Sequence, residues 1–476
     1  MIKHIITFCF CLTLIACQNK KPVEYNQEHW IELQRQTVEQ LRAKSFGEAA
    51  TSLSQSIDMA DDEIKHWDYI RMGLVSLPAD LALPLVDKAL KLKSIKKNDQ
   101  QLFGFSKVYT QLQELEKALK TVNQAIDIEY NEDYVFWRAR LYLMLKEHNL
   151  AEKDYQWLLE KDDSKDIYIS QYASLLNHLG KTKEAKALLE KYKDNPKLLY
   201  KSIILALRDD NKAEAEKQFK HLKTISTPSD MDEQTKLEIG ELASWLDDPE
   251  YSLELLSTVK EGDKISQAKL IMGRVMMDQE NYDRAIIMFR QAQNGIEEHA
   301  ILAYLFEADA HRLLEEPKLG IRTLNQALDV FEGNKELLYS RAMMNESEGK
   351  FSAMEKDLHT IIASDDNHYD ALNALGYSWA ERNIKLDDAF KLIQKAHELA
   401  PENVAILDSM GWVHYRLGNL KQARHYLELA TADGIEDKLM LEHLLEVLEA
   451  LEDDKAANRI RTMIKTQFND SGETTE

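Results

Sequence analysis

Ala371-Leu372-Asn373-Ala374-Leu375-Gly376-Tyr377, Leu386-Asp387-Asp388-Ala389, Ala400-Pro401-Glu402-Asn403 and Ile406-Leu407-Asp408-Ser409-Met410-Gly411-Trp412 set one pattern down twice in succession. In each copy a glycine, Gly376 or Gly411, lies among apolar residues at helical spacing, and a second small residue, Ala389 or Ala423, follows one helix later. The same register extends back through Met354, Gly320, Ala285, Ser252, Ala215, Ala185, Ala151 and Ala118, with steps of about 34 residues. Small partners precede them at Ala139, Ala173, Gly240, Gly273, Ala308 and Ala342. Two antiparallel helices cross closely only where the side chains between their backbones are small, so the register predicts a tandem series of helix pairs. One turn beyond the second small residue come Phe219, Leu256, Phe289, Leu358 and Leu427, which widen the apolar face of each second helix. Pro401 marks a place where a helix must stop. Met354 breaks the small-residue rule, and its crossing is expected to be looser or shifted. The longer step from Gly376 to Ala389 places one extra residue in the turn around Asn383-Ile384-Lys385.

Composition points the same way. Gly 16 and Pro 8 are few for 476 residues, no β-branched alternation stands out, and Ala, Leu, Glu and Lys dominate, all of which favours helix. The period is that of tetratricopeptide repeats, so the expected fold is an all-α solenoid, a right-handed superhelix of antiparallel helix pairs. Its expected organisation is a signal peptide over residues 1–16, a modified Cys17 and tether over 17–28, and degenerate helical repeats over 29–98. The regular array follows over 99–437, capping helices over 438–467 and a disordered tail over 468–476. Pro78 and Pro84 make the second of the degenerate repeats irregular.

The leader bears on location. Met1-Ile2-Lys3-His4 is a short positive start, and the apolar run Ile5 to Leu14 is too short to span a bilayer as a helix. Leu14-Ile15-Ala16-Cys17 resembles the lipobox of bacterial lipoproteins, and that resemblance implies that Cys17 becomes the lipid-modified first residue. Gln18, where an Asp would favour the inner membrane in such proteins, implies the outer membrane and its periplasmic face. All three cysteines, Cys9, Cys11 and Cys17, lie in this segment, which excludes a disulfide framework in the body. A net charge of -22 repels nucleic acid and anionic headgroups, so membrane contact is expected through the lipid alone.

Catalytic motifs do not assemble. No glycine-rich phosphate loop or His-Glu-x-x-His pair occurs, and Gly376-Tyr377-Ser378-Trp379-Ala380 lies inside a helix rather than on the strained turn that a nucleophile elbow needs. Asp162-Asp163, Asp209-Asp210, Asp247-Asp248 and Asp365-Asp366 fall where helix ends and turns are expected, and Asp61-Asp62 is of the same kind. His359, His368, His397, His414 and His425 lack the spacing of a ligand set. The reading is therefore a non-enzyme with no cofactor and no metal site. The candidate surface is the face of the first helices, where Asn373, Tyr377, Asp408, Trp412, Tyr415 and Arg416 would combine aromatic anchors with hydrogen-bonding groups for a protein partner. The alternative is that these aromatics pack between neighbouring repeats.

With Tyr339-Ser340-Arg341-Ala342 and Tyr415-Arg416-Leu417-Gly418, the repeat motifs from Ala371 to Trp412 resemble a family of large bacterial outer-membrane tetratricopeptide lipoproteins. That resemblance implies a non-catalytic, membrane-anchored scaffold. Its implied partners are a periplasmic carboxy-terminal processing protease and the cell-wall hydrolases that protease degrades. The alternative is an assembly factor for an envelope machine such as a pilus secretin or an outer-membrane protein complex.

Overall fold

The computed structural model describes residues 27–60, 64–432 and 437–468. Cys17, the leader and most of the expected tether lie outside the described residues, as does the tail beyond Phe468. Among the described residues there are 27 helices and no strand. The chain divides into two compact units, Met1–Ser226 and Thr227–Glu476.

The first unit contains α1 (Gln27–Arg42), α2 (Phe46–Met59), α3 (Ile64–Val75), α4 (Ala79–Ala89), the single turn α5 (Lys93–Lys96), α6 (Asp99–Gln111), α7 (Leu115–Ile128), α8 (Glu132–Met144), α9 (His148–Lys161), α10 (Asp166–His178), α11 (Thr182–Glu190), α12 (Pro196–Arg208) and α13 (Lys212–Ile225). Buried Trp30 and Leu33 fasten α1 to the unit, and the helix continues outward to Gln27, so it takes in the last two residues assigned to the tether. The second unit contains α14 (Glu233–Trp245), α15 (Pro249–Ser257), α16 (Gly262–Asp278), α17 (Tyr282–Ala292), α18 (Glu297–Leu313), α19 (Pro317–Val330), α20 (Lys335–Ser347), α21 (Phe351–Ser364), α22 (Tyr369–Glu381), α23 (Leu386–Leu399), α24 (Val404–Arg416), α25 (Leu420–Ala430), α26 (Lys438–Ala450) and α27 (Asp454–Phe468).

Local chemistry sets the helix starts. Asn98, Asn131, Asn195, Asn334 and Asn403 each accept a backbone N–H at the head of a first helix, and Asp232 and Asp437 do the same for α14 and α26. Asp248 caps α15 in this way, whereas Asp209 and Asp365 sit at helix C-termini. The turn from first to second helix is equally regular. It holds a residue in the left-handed region at Lys44, Gln113, Lys146, Gly180, Asp210, Asp247, Glu280, Glu315, Gly349, Asn383, Gly418 and Glu452. The α3–α4 turn, built on Pro78, has none. The extra residue expected near Ile384 shows as a second left-handed position, Lys385, in the same turn as Asn383.

The small residues sit where the helices touch. A Cβ on Gly240 would fall 2.6 Å from Leu256, one on Gly376 2.6 Å from Ile393, and one on Gly411 2.4 Å from Leu427. On Gly273 it would lie 2.3 Å from the Phe289 ring. Met354 is fully buried in one apolar cluster with Ala342 and Leu358, where its flexible, unbranched side chain can adapt to the crossing. A polar clasp recurs in both units. Arg138 on α8 makes paired hydrogen bonds to Asp154 on α9 (2.8 and 2.6 Å) and a third to Asn123 of the preceding helix. Arg341 on α20 does the same with Asp357 (2.8 and 2.7 Å) and Asn325. Two-pronged pairing satisfies an otherwise costly buried carboxylate while it fixes the register of three helices.

Candidate functional site

The six candidate residues lie on two adjacent first helices, Asn373 and Tyr377 on α22 and the others on α24. They come together, but they are less open than the sequence suggested. Trp412 is only 3% exposed and Asp408 only 5%. Both are covered by His443 of α26, whose leucine-rich helix was legible in the sequence but whose histidine was not singled out. The His443 imidazole stacks on the Trp412 ring at 4.0 Å between centroids and 22° between planes. Its Nδ1 lies 3.0 Å from each Asp408 carboxylate oxygen. A carboxylate can only accept, so Nδ1 carries the hydrogen. The Trp412 Nε1 donates to Glu381 Oε2 at 2.6 Å, and the Arg416 guanidinium covers the indole at 4.6 Å. Trp412 and Asp408 therefore act as inter-repeat packing and pairing groups. The expectation of an open Trp412 anchor is corrected on this point.

The remaining four are half-buried. Tyr377 lies 6.2 Å from His443 between ring centroids. Burial, then the charges of Glu381 and Asp408, push its phenol well above the ordinary tyrosine pKa, so it stays a hydrogen-bond donor. Tyr415 packs 5.1 Å from Trp412, and burial followed by the nearby Glu446 raises its pKa as well. Arg416 donates to the Glu381 carbonyl at 3.2 Å, while its buried Nε has no hydrogen-bond partner. Asn373 presents a buried Oδ1 that is likewise unpaired. Glu346 on α20 joins the same electrostatic neighbourhood as Tyr377 and Tyr339, and burial raises its pKa. What persists at the edge of this face is a set of directional groups: two phenols, an amide, a guanidinium and carboxylates. Such a set can hold a peptide backbone and polar side chains. Ser378 is 2% exposed inside α22. Among the described residues no group of three or more His, Cys, Asp or Glu is placed to hold a metal ion, and no helix is long and apolar enough to cross a membrane.

No family model matches the chain. The TPR repeat-containing protein PA4667 of Pseudomonas aeruginosa is 35% identical over 192 residues, which is 40% of this chain and 32% of that protein. The chain thus spans about a third of the length of the curated relative it matches. Among solved structures, PilW, described as a widely conserved type IV pilus biogenesis factor, is similar at 16% identity over 43% of this chain and 94% of that one, with a TM-score of 0.38. Pseudomonas aeruginosa PilF is similar at 18% identity over 44% and 94%, with a TM-score of 0.37. With the repeat register and the helix pairing, the curated relative identifies an all-α tetratricopeptide-repeat fold.

Proposed function

We propose that this chain is a non-catalytic protein-interaction scaffold. The observation that carries the reading is the half-buried face of α22 and α24, where Tyr377, Tyr415, Arg416 and Asn373 cluster on a tetratricopeptide-repeat fold. Half-buried aromatic and hydrogen-bonding side chains on neighbouring first helices are what a bound peptide or loop would contact. The finer reading rests on the sequence: Leu14-Ile15-Ala16-Cys17 and the repeat motifs support a lipid-anchored adaptor at the periplasmic face of the outer membrane. Its partners would be a carboxy-terminal processing protease and the cell-wall hydrolases it degrades.

The test has two parts. Cys17→Ala should leave an unprocessed or soluble periplasmic form, and a mature-sized variant that still fractionates with the outer membrane would overturn the anchor. The lipidated protein should capture the processing protease and its hydrolase substrates and speed their degradation, and Tyr415→Ala should weaken that capture about tenfold or more with the helical signal unchanged. Failure to bind either class would replace the adaptor by the envelope-assembly alternative. Capture unaffected by Tyr415→Ala would keep the role and remove this face from it.

A further inference from the structure

The first unit carries a surface of opposite character to the chain as a whole. On α6, the Lys107 ammonium sits 4.0 Å from the Phe103 ring centroid and 5.8 Å from that of Trp137 on α8. Arg140, one turn along α8, places its guanidinium 5.2 Å from the same indole. Arg71 of α3 stands beside them, 5.8 Å from the Phe105 ring and hydrogen-bonded to Gln101. The aromatic platform is held still: Trp137 Nε1 donates to Ser106 Oγ at 3.0 Å, and that hydroxyl donates to the Ala118 carbonyl at 2.8 Å.

Two of these three cations are short of counter-charge. Lys107 and Arg140 form no ion pair with a carboxylate among the described residues. Arg71 is paired with Asp68, while other carboxylates of the unit are engaged elsewhere: Asp99 with the Tyr134 hydroxyl, Glu132 with Lys165 and Asp154 with Arg138. Asp133 is the acid that still acts on Lys107. Burial lowers the Lys107 pKa, Asp133 opposes it, and the like charges of Arg71 and Arg140 add to the lowering. In a chain of net charge -22, Lys107 and Arg140 stand beside one indole with no ion-paired carboxylate among the described residues, and an anionic ligand would supply the missing counter-charge.

We propose that the α6–α8 face, with Lys107 and Arg140 flanking Trp137, docks a short acidic segment of a protein partner. Its carboxylates would meet the two cations and its backbone or apolar side chains would lie on the Phe103 and Trp137 rings. The net charge of -22 selects against extended polyanions, which would reach past this local cluster into an acidic surround. A few carboxylates fit; a nucleic acid or an anionic bilayer does not. The proposal rests on the scaffold reading but concerns a different face from Tyr377 and Tyr415.

The experiment uses the full-length lipoprotein in detergent and fluorescence anisotropy with a labelled, carboxy-terminally amidated Glu-Gly repeat peptide. The same peptide with Lys for Glu, the Glu peptide with a free carboxy-terminus, inorganic phosphate and single-stranded DNA serve as comparisons. The amidated Glu peptide should bind with an affinity that falls as salt is added, and the Lys peptide should not. Lys107→Met keeps the apolar stem over Phe103 and removes only the charge, and with Arg140→Gln it should weaken binding tenfold or more. The proposal is overturned by no binding to wild type, by equal binding to the double variant, by DNA binding as tightly as the Glu peptide, or by binding only when the carboxy-terminus is free. If the Glu peptide fails while protein partners are still captured, the scaffold reading survives and this face does not.

Discussion

Gly273→Ala sets two physical effects against each other, and the geometry decides the winner. In an exposed helix interior, alanine in place of glycine gains up to about 1 kcal/mol. At Gly273 the new Cβ would lie 2.3 Å from Phe289 Cε1 and 2.7 Å from Cδ1 and Cζ. Carbon atoms rest at about 3.5–4.0 Å, so the ring would have to retreat by more than about 1 Å. It has little room, because Phe289 is fully buried and its ring stacks on Phe306 at 5.5 Å between centroids. Overpacking of this kind costs about 1–3 kcal/mol, and a clash this short belongs at the upper end, which leaves a net loss of up to about 2 kcal/mol after the propensity gain. Gly47→Ala is the control: nothing lies within 4 Å of its added Cβ, so that variant should be neutral or slightly stabilised. Repeat arrays need not melt in one step, so the readout is hydrogen exchange of α16 and α17 beside the melting temperature. Adding Phe289→Leu to Gly273→Ala should recover part of the loss. If Gly273→Ala protected α16 and α17 as well as wild type does, the contact that fixes the register would be refuted.

Two further expectations test the polar devices. Asp357→Ala should cost about 3 kcal/mol, because it leaves the two-pronged Arg341 guanidinium facing an emptied buried site, and Asp357→Asn should cost less; a loss below about 1 kcal/mol for the alanine variant would show the clasp idle. Burial raises the Glu346 pKa above its ordinary 4.5, so the native state binds the proton more tightly than the unfolded chain. The stability this contributes is present below the unfolded value and lost as pH rises through the native one. Glu346→Gln should therefore gain on wild type as the pH is raised from about 4 to neutrality in urea titrations, and a difference that stays constant with pH would refute the assignment.

The repeat register was legible because it is written in side-chain volume. Gly240, Gly273 and Gly411 announce close approach directly, and the residue each would strike, Leu256, Phe289 or Leu427, lies one turn past the next small position. The surface was legible only in part. Periodicity places Asn373, Tyr377, Trp412 and Tyr415 on the same side of their helices, but it does not tell a first helix what the next one lays over it. His443 closes over Trp412 and Asp408 from α26. The available signal was the recurrence of polar links between successive first helices, such as Tyr134 to Asp99, which carries no sequence signature beyond its spacing. The cationic face of α6 and α8 was hidden for a different reason. Net charge averages over the chain, whereas Lys107 and Arg140 are far apart in sequence and meet only through the stacking of neighbouring first helices.

The left-handed residue in the first-to-second turns has a consequence for how such a surface can diversify. Lys146, Glu280 and Glu315 bend the chain as Gly180 and Gly418 do, each at a cost of about 1 kcal/mol that glycine escapes. That cost depends on the presence of a Cβ and hardly on the atoms beyond it. Lysine, glutamine and glutamate are therefore nearly interchangeable at these tips as far as helix geometry is concerned, and aspartate, whose short side chain can hydrogen-bond locally, is easier still. Within each unit these tips are places where charge can be rewritten without moving a helix, so recognition can change there while the fold stays the same.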